Sequence, residues 1–163
     1  MASFRHSSTP RRKTPWHSVT TAENRNSVGG WGSLAPYMKS VCICGSFRFY
    51  EEMVDLRHAL QTRGVLCEWP LPGARREPQA MTADEARDAI RQHLERMDRA
   101  EIIFVFNKGG YVGNSVVMEI GYAYARHKPV YVLAPLHDPF LRPLVSAVVS
   151  IEELMQLVYP APA

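Results

Sequence analysis

The sequence predicts an α/β fold: a single doubly wound (flavodoxin- or Rossmann-like) parallel sheet of about five strands, in the order 2-1-3-4-5. Three observations predict it. From Lys39 onward, short apolar runs alternate with segments of helical period. That alternation implies right-handed βαβ crossovers with helices on both faces of a parallel sheet. The run "EIIFVFN" is apolar without a break, as a strand covered on both faces must be. Finally, the two least regular segments, "GSFRF" and "NKGGYVGNS", follow the first and third strands. In a sheet of this order the winding reverses there, and the ligand crevice opens at the carboxyl ends of those strands.

Each element has its own signal. "SVCICGS" is a buried strand stopped by Gly45 and Ser46. "FYEEMVDLRHALQTRG" carries Met53, Leu56 and Leu60 at helical spacing and ends at Gly64. "VLCEWP" is a second strand closed by Pro70, and "LPGARREPQAMT" is a loop in which Arg75 and Arg76 could form part of a lid. "ADEARDAIRQHLERMDRA" is a helix with Thr82 as N-cap and acids in its first turn. Ala86, Ala89, Ile90, His93 and Met97 share one face of it, so His93 should point at the sheet. After the third strand, "NSVVMEIGYAYARHK" is a helix with Asn114 as the expected N-cap. "PVYVLAP" and "LVSAVVS" complete the strands, and "IEELMQLV" is a last short helix.

This places one domain at 39–158. Residues 1–38 read as a disordered tail, rich in Ser, Thr, Asn, Gly, Pro and Arg, with isolated Trp16 and Trp31 and no apolar period. Two other readings stand beside it: an organellar transit peptide, or a translation start at Met38. Residues 159–163 read as a C-terminal tail. A chain beginning at Met38 should therefore melt within a few degrees of the full chain. A thermal scan showing a large loss would mean that the tail packs on the domain.

Composition excludes several classes. Of the 163 residues, 46% are hydrophobic and 21% charged, ordinary values for a globular protein. No apolar run approaches the roughly 18–20 residues of a membrane helix, so no membrane partner is expected. The net charge of +3 derives partly from "RHSSTPRRK" and does not point to a nucleic-acid polymer. Cys42, Cys44 and Cys67 cannot all pair within one chain, and the N-terminus has no apolar signal core. Free thiols in a reducing cytoplasm are expected. No metal is expected either, because C-x-C with one distant cysteine lacks zinc-ligand spacing.

The glycine loop and its carboxylate carry the chemistry. Gly109, Gly110 and Gly113 allow the backbone close to a ligand. The loop lacks the Gly-Lys-Ser/Thr of an NTPase, and the turn after the first strand lacks G-x-G-x-x-G, so no nucleotide cofactor is expected. Glu119 borders the stripe of Val116, Ile120 and Ala123 near the start of its helix. A carboxylate there is either a surface residue helped by the helix dipole or a nucleophile for an electron-poor carbon. Gly121 weakens the same helix by about 1 kcal/mol relative to Ala, which implies close packing against the sheet or a partner. Arg48 is either a surface arginine or a fork of donors for a phosphate, with Ser46 beside it. Tyr111 would cover the ligand or meet a neighbouring subunit. Asn107 and Asn114 are readable as turn and cap or as ligand contacts, and Ser115 as a ligand hydroxyl.

"CICGSFRFYEEM" and "MDRAEIIFVFNKGGYVGNSVVMEIGYAYARHKPVYVL", with their spacing, resemble the nucleoside 2-deoxyribosyltransferase superfamily, which includes the 2′-deoxynucleoside 5′-monophosphate N-glycosidases. The resemblance implies that Glu119 attacks the anomeric carbon and expels the base. It implies that Gly45, Ser46 and Arg48 lie around the sugar-phosphate, and that the protein is a homo-oligomer acting on a small nucleoside or nucleotide. The family also places a carboxylate from the preceding helix near the leaving base. Here His93 falls at about that place, Asp88 is the better carboxylate candidate, and Asp98 reads as a structural residue at the wrong helix end. Two alternatives remain. The loop is similar to the P-G-G-x-G-T-x-x-E of cytokinin-activating phosphoribohydrolases, though two residues longer and without the Pro and Thr. A non-catalytic nucleotide-binding module would use the loop and Arg48 but not Glu119.

Overall fold

β1 (Val41–Gly45) fixes the layout, because its side chains divide between two cores. The computed structural model describes residues 38–69 and 81–159. The expectations for most of the N-terminal tail, the Arg75–Arg76 loop and residues 160–163 lie outside the described residues. Val41 and Ile43 face one core with Met53, Leu56 and Leu60 of α1 (Tyr50–Gln61) and Leu154 and Val158 of α4 (Ile151–Val158). Cys42 and Cys44 face the other, with Met97 of α2 (Ala83–Arg99) and Val116, Ile120 and Ala123 of α3 (Asn114–Ala125). β3 (Ile102–Phe106) divides in the same way: Ile102, Phe104 and Phe106 join the first core, Ile103 and Val105 the second. A period of two with both sides covered explains why β3 is apolar throughout.

β2 (Cys67–Glu68), β4 (Val130–Val132) and β5 (Ala147–Val148) complete a five-stranded, all-parallel sheet of order β2-β1-β3-β4-β5. The predicted fold and order are those observed. β2 and β5 are shorter than the apolar runs that announce them. Register sets Gly45 opposite Phe106, so the ends of β1 and β3 lie side by side at the switch point. Gly45 is required there, since a Cβ would fall 2.5 Å from Met53 Sδ and 3.1 Å from the Phe106 carbonyl.

Helix ends follow their sequence signals with one exception. Thr82 and Ser150 each form a capping box, with Glu85 and Glu153 respectively. Asn114, expected as a cap, is instead the first helical residue of α3. Gly113 takes the cap position with extended backbone, and no side chain caps that end. Asp98 is structural, as expected: its carboxylate accepts from the Tyr122 hydroxyl at 2.8 Å and Arg126 Nε at 2.9 Å, tying the end of α2 to α3. Met38 packs on the first core, and so does Tyr159, whose hydroxyl donates to the Arg63 carbonyl at 2.6 Å. No helix among the described residues is long and apolar enough to cross a membrane.

Candidate active site

Glu119 lies in the second turn of α3, on the flank that turns toward β1, and is only 7% exposed. His93, from the middle of α2, is buried to the same extent. Its Nε2 lies 3.3 Å from Glu119 Oε1. The same Nε2 lies 3.5 Å from Cys44 Sγ, on the strand beneath. Three elements thus bring a carboxylate, an imidazole and a thiol together at the edge of the second core. Buried polar atoms normally find partners, yet Glu119 Oε2 and His93 Nδ1 have none among the described residues. One carboxylate oxygen is held by the ring; the other is unengaged.

Without a bound cation, the Cys44 thiol is held in its protonated form. Its hydrogen bond with Cys42, its burial and the Glu119 charge all push it well above the usual thiol range. Burial likewise pushes Cys67 up to about 12. Both cysteines remain free, as expected.

The rim is built from the two loops at the switch point. After β1, a 3-10 turn over Phe47–Phe49 is capped by Ser46, whose hydroxyl accepts from the Arg48 amide at 3.4 Å. After β3, the glycine loop carries Tyr111 beneath the Arg48 guanidinium, 3.8 Å from carbon to ring centroid. Phe49 meets the same ring edge-on. Stacking uses the flat face of the guanidinium and leaves its in-plane N–H donors available. Arg48 has no ion pair among the described residues, whereas the neighbouring cation, Lys108, is paired with Glu52 at 3.0 Å. Gly110 adopts φ +78°, and a Cβ there would lie 2.7 Å from the Pro135 carbonyl and 2.6 Å from His137 Nε2. Only glycine satisfies both conditions.

The structure sorts the predicted residues. Glu119 and His93 are in contact, and Arg48 and Tyr111 are in contact. Gly45, Ser46, Gly110 and Gly113 shape the two loops. Ser115 and Asn114 are exposed in the first turn of α3, beside its uncapped amides. Asn107 is fully buried, and its amide bonds both ways with the Ala134 backbone, at 2.7 and 2.9 Å. That clamp ties β3 to the segment after β4 and occupies the side chain, so Asn107 positions the loop and is not free to meet a ligand. Asp88 is corrected as well. It sits about 140° around α2 from His93, with a side chain 64% exposed and 3.5 Å from Arg91, and does not join Glu119. Of the two kinds of packing expected at Gly121, that against the sheet is absent among the described residues, since a Cβ there would meet nothing within 4 Å. Sequence reasoning missed one contributor, Cys44, whose contact with His93 has no signature in the sequence.

The sequence profile described as nucleoside 2-deoxyribosyltransferase matches residues 43–155. The chain belongs to this family. The match runs from β1 into α4, so it contains Cys44, Arg48, His93, Tyr111 and Glu119. Among solved structures, the chain is similar to a 2-deoxyribosyltransferase of Bacillus psychrosaccharolyticus, with 14% identity over 71% of this chain and 89% of that one, and a TM-score of 0.54. It is similar also to a conserved protein of Enterococcus faecalis V583, with 17% identity, 74% and 97% coverage and a TM-score of 0.56. At such identities the likeness is one of fold. No curated protein matches the chain. As a member of the nucleoside 2-deoxyribosyltransferase family, it has the family's sheet and a buried glutamate at the crevice edge of α3.

Proposed function

We propose that the protein cleaves or transfers the N-glycosidic bond of a nucleoside or nucleoside 5′-monophosphate through a covalent glycosyl ester on Glu119. The observation that carries this reading is the buried Glu119–His93 pair at the switch-point crevice, with one carboxylate oxygen unengaged. Oε2 attacks the anomeric carbon while the bond from that carbon to the base nitrogen breaks. The bonding pair leaves with the base, which takes up a proton. Water, or a second base, then attacks the same carbon and releases the carboxylate. The sugar passes through an oxocarbenium-like state that a neighbouring anion stabilises, as in retaining glycosidases. His93 holds Oε1 and so presents Oε2. Incubation with a panel of nucleosides and 5′-monophosphates, with and without an acceptor base, followed by chromatography, tests the reading. Free base without acceptor indicates hydrolysis, and exchange only with acceptor indicates transfer. No release from any member would leave a nucleotide-binding module.

Arg48 supports a 5′-phosphate on the substrate. Among the described residues it is a cation without an ion pair, held over the Tyr111 ring at the rim. Arg48→Ala removes charge-assisted bonds worth roughly 1.5–3 kcal/mol. Efficiency on 5′-monophosphates should drop by about 10- to 150-fold, with nucleoside cleavage little changed. Equal losses on both would assign Arg48 to the sugar or to the fold.

A further inference from the structure

His93 Nε2 faces two groups that make opposite demands on it. It carries either a proton or a lone pair. With a proton it serves the Glu119 carboxylate at 3.3 Å, and with a lone pair it serves the Cys44 thiol at 3.5 Å. One kind of partner suits the lone pair, the carboxylate and the thiols together: a cation placed among them. Cys42 belongs to the same set, since one donor atom each from Cys42, Cys44 and His93 all lie within 4.8 Å of one another, and all three residues are buried. Two spacings fit edges of a tetrahedral site, His93 to Cys44 and His93 to Glu119, while Glu119 stands outside the close group of three. With zinc bonds of about 2.3 Å to sulfur and about 2.0–2.1 Å to nitrogen or oxygen, the S–N edge of the tetrahedron is about 3.6 Å and the N–O edge about 3.3 Å.

We propose that Cys42, Cys44 and His93 form a binding site for a thiophilic divalent metal ion, zinc in the first instance, that the bound ion draws in the Glu119 carboxylate as fourth ligand, and that its occupancy switches the enzyme off. Both thiols must lose their protons to solvent, after which two thiolates, one neutral imidazole and one carboxylate surround the ion. Two thiolates with one imidazole favour zinc over the hard cations magnesium and calcium. The ion would take the nucleophilic carboxylate and its positioning ring together. This inhibitory part rests on the proposed role of Glu119; the binding part does not.

Cobalt(II), which takes the same ligands, gives a readout independent of activity. The full-length protein, kept reduced, should bind one equivalent with a thiolate-to-cobalt charge-transfer band and the strong visible bands of tetrahedral cobalt. Zinc should displace it and raise the melting temperature, and a chelator should reverse that rise. One equivalent of zinc should also stop base release. Cys42→Ala should keep the base-release activity but weaken metal affinity at least about tenfold and lose zinc inhibition to the same degree. A cobalt spectrum without the charge-transfer band, or an identical band in Cys42→Ala, would overturn the proposal. Should Cys42→Ala not fold, an unchanged melting temperature of the natural chain with zinc would overturn it equally. Failure of the substrate panel leaves the cobalt result standing, so the two readings fail separately.

Discussion

Glu119→Gln is expected to fold and to lose turnover by at least about 10³-fold, as removal of a covalent nucleophile should. The substitution preserves the volume of a side chain packed beside β1 and keeps one oxygen near His93. What it removes is the anion, hence both the attacking electron pair and the charge opposite the oxocarbenium centre. The loss should appear in kcat, with KM unchanged or lower, because the glycine loop, Tyr111 and Arg48 are untouched. A 2-fluoro sugar substrate should slow breakdown of the ester and leave a mass adduct on the peptide containing Glu119. Near-normal turnover in the variant, or an adduct on another residue, would remove Glu119 from the mechanism.

The sheet was readable because its physics is local. Val41 to Gly45 and Ile102 to Phe106 are apolar on both sides, and only a doubly covered parallel strand explains that. Thr82 announced α2 through an acid three residues on, and the structure has the full capping box. The switch point was readable for the same reason, since strand order alone fixes where the winding reverses. Pairings across the fold were not. That Asn107 would meet Ala134, or that Cys44 would meet His93, depends on tertiary distances with no sequence signature. Asp88 failed on helix geometry: five residues from His93 carry it off the buried face and into solvent. Asn114 failed by one residue, because Gly113 adopts the extended cap conformation and leaves Asn114 inside the helix.

His93→Leu should lower kcat by about 10²- to 10³-fold, within the range for losing a group that orients or protonates. It should also lower stability, because Glu119 would remain buried with neither oxygen partnered, at a cost of roughly 1–3 kcal/mol. The position of the ring argues for orientation. Its Nε2 reaches Oε1 at 3.3 Å, and the whole side chain is as enclosed as the carboxylate it holds. His93→Gln tests this, since a glutamine amide can put an N–H near the place of Nε2. It should restore most of the lost turnover if orientation is the role. A second arm uses a nucleoside methylated at purine N7, whose base leaves without needing a proton. A positioning residue costs the variant the same factor on that substrate as on the parent nucleoside. If the defect of His93→Leu disappears there, His93 protonates the departing base and the positioning role is wrong.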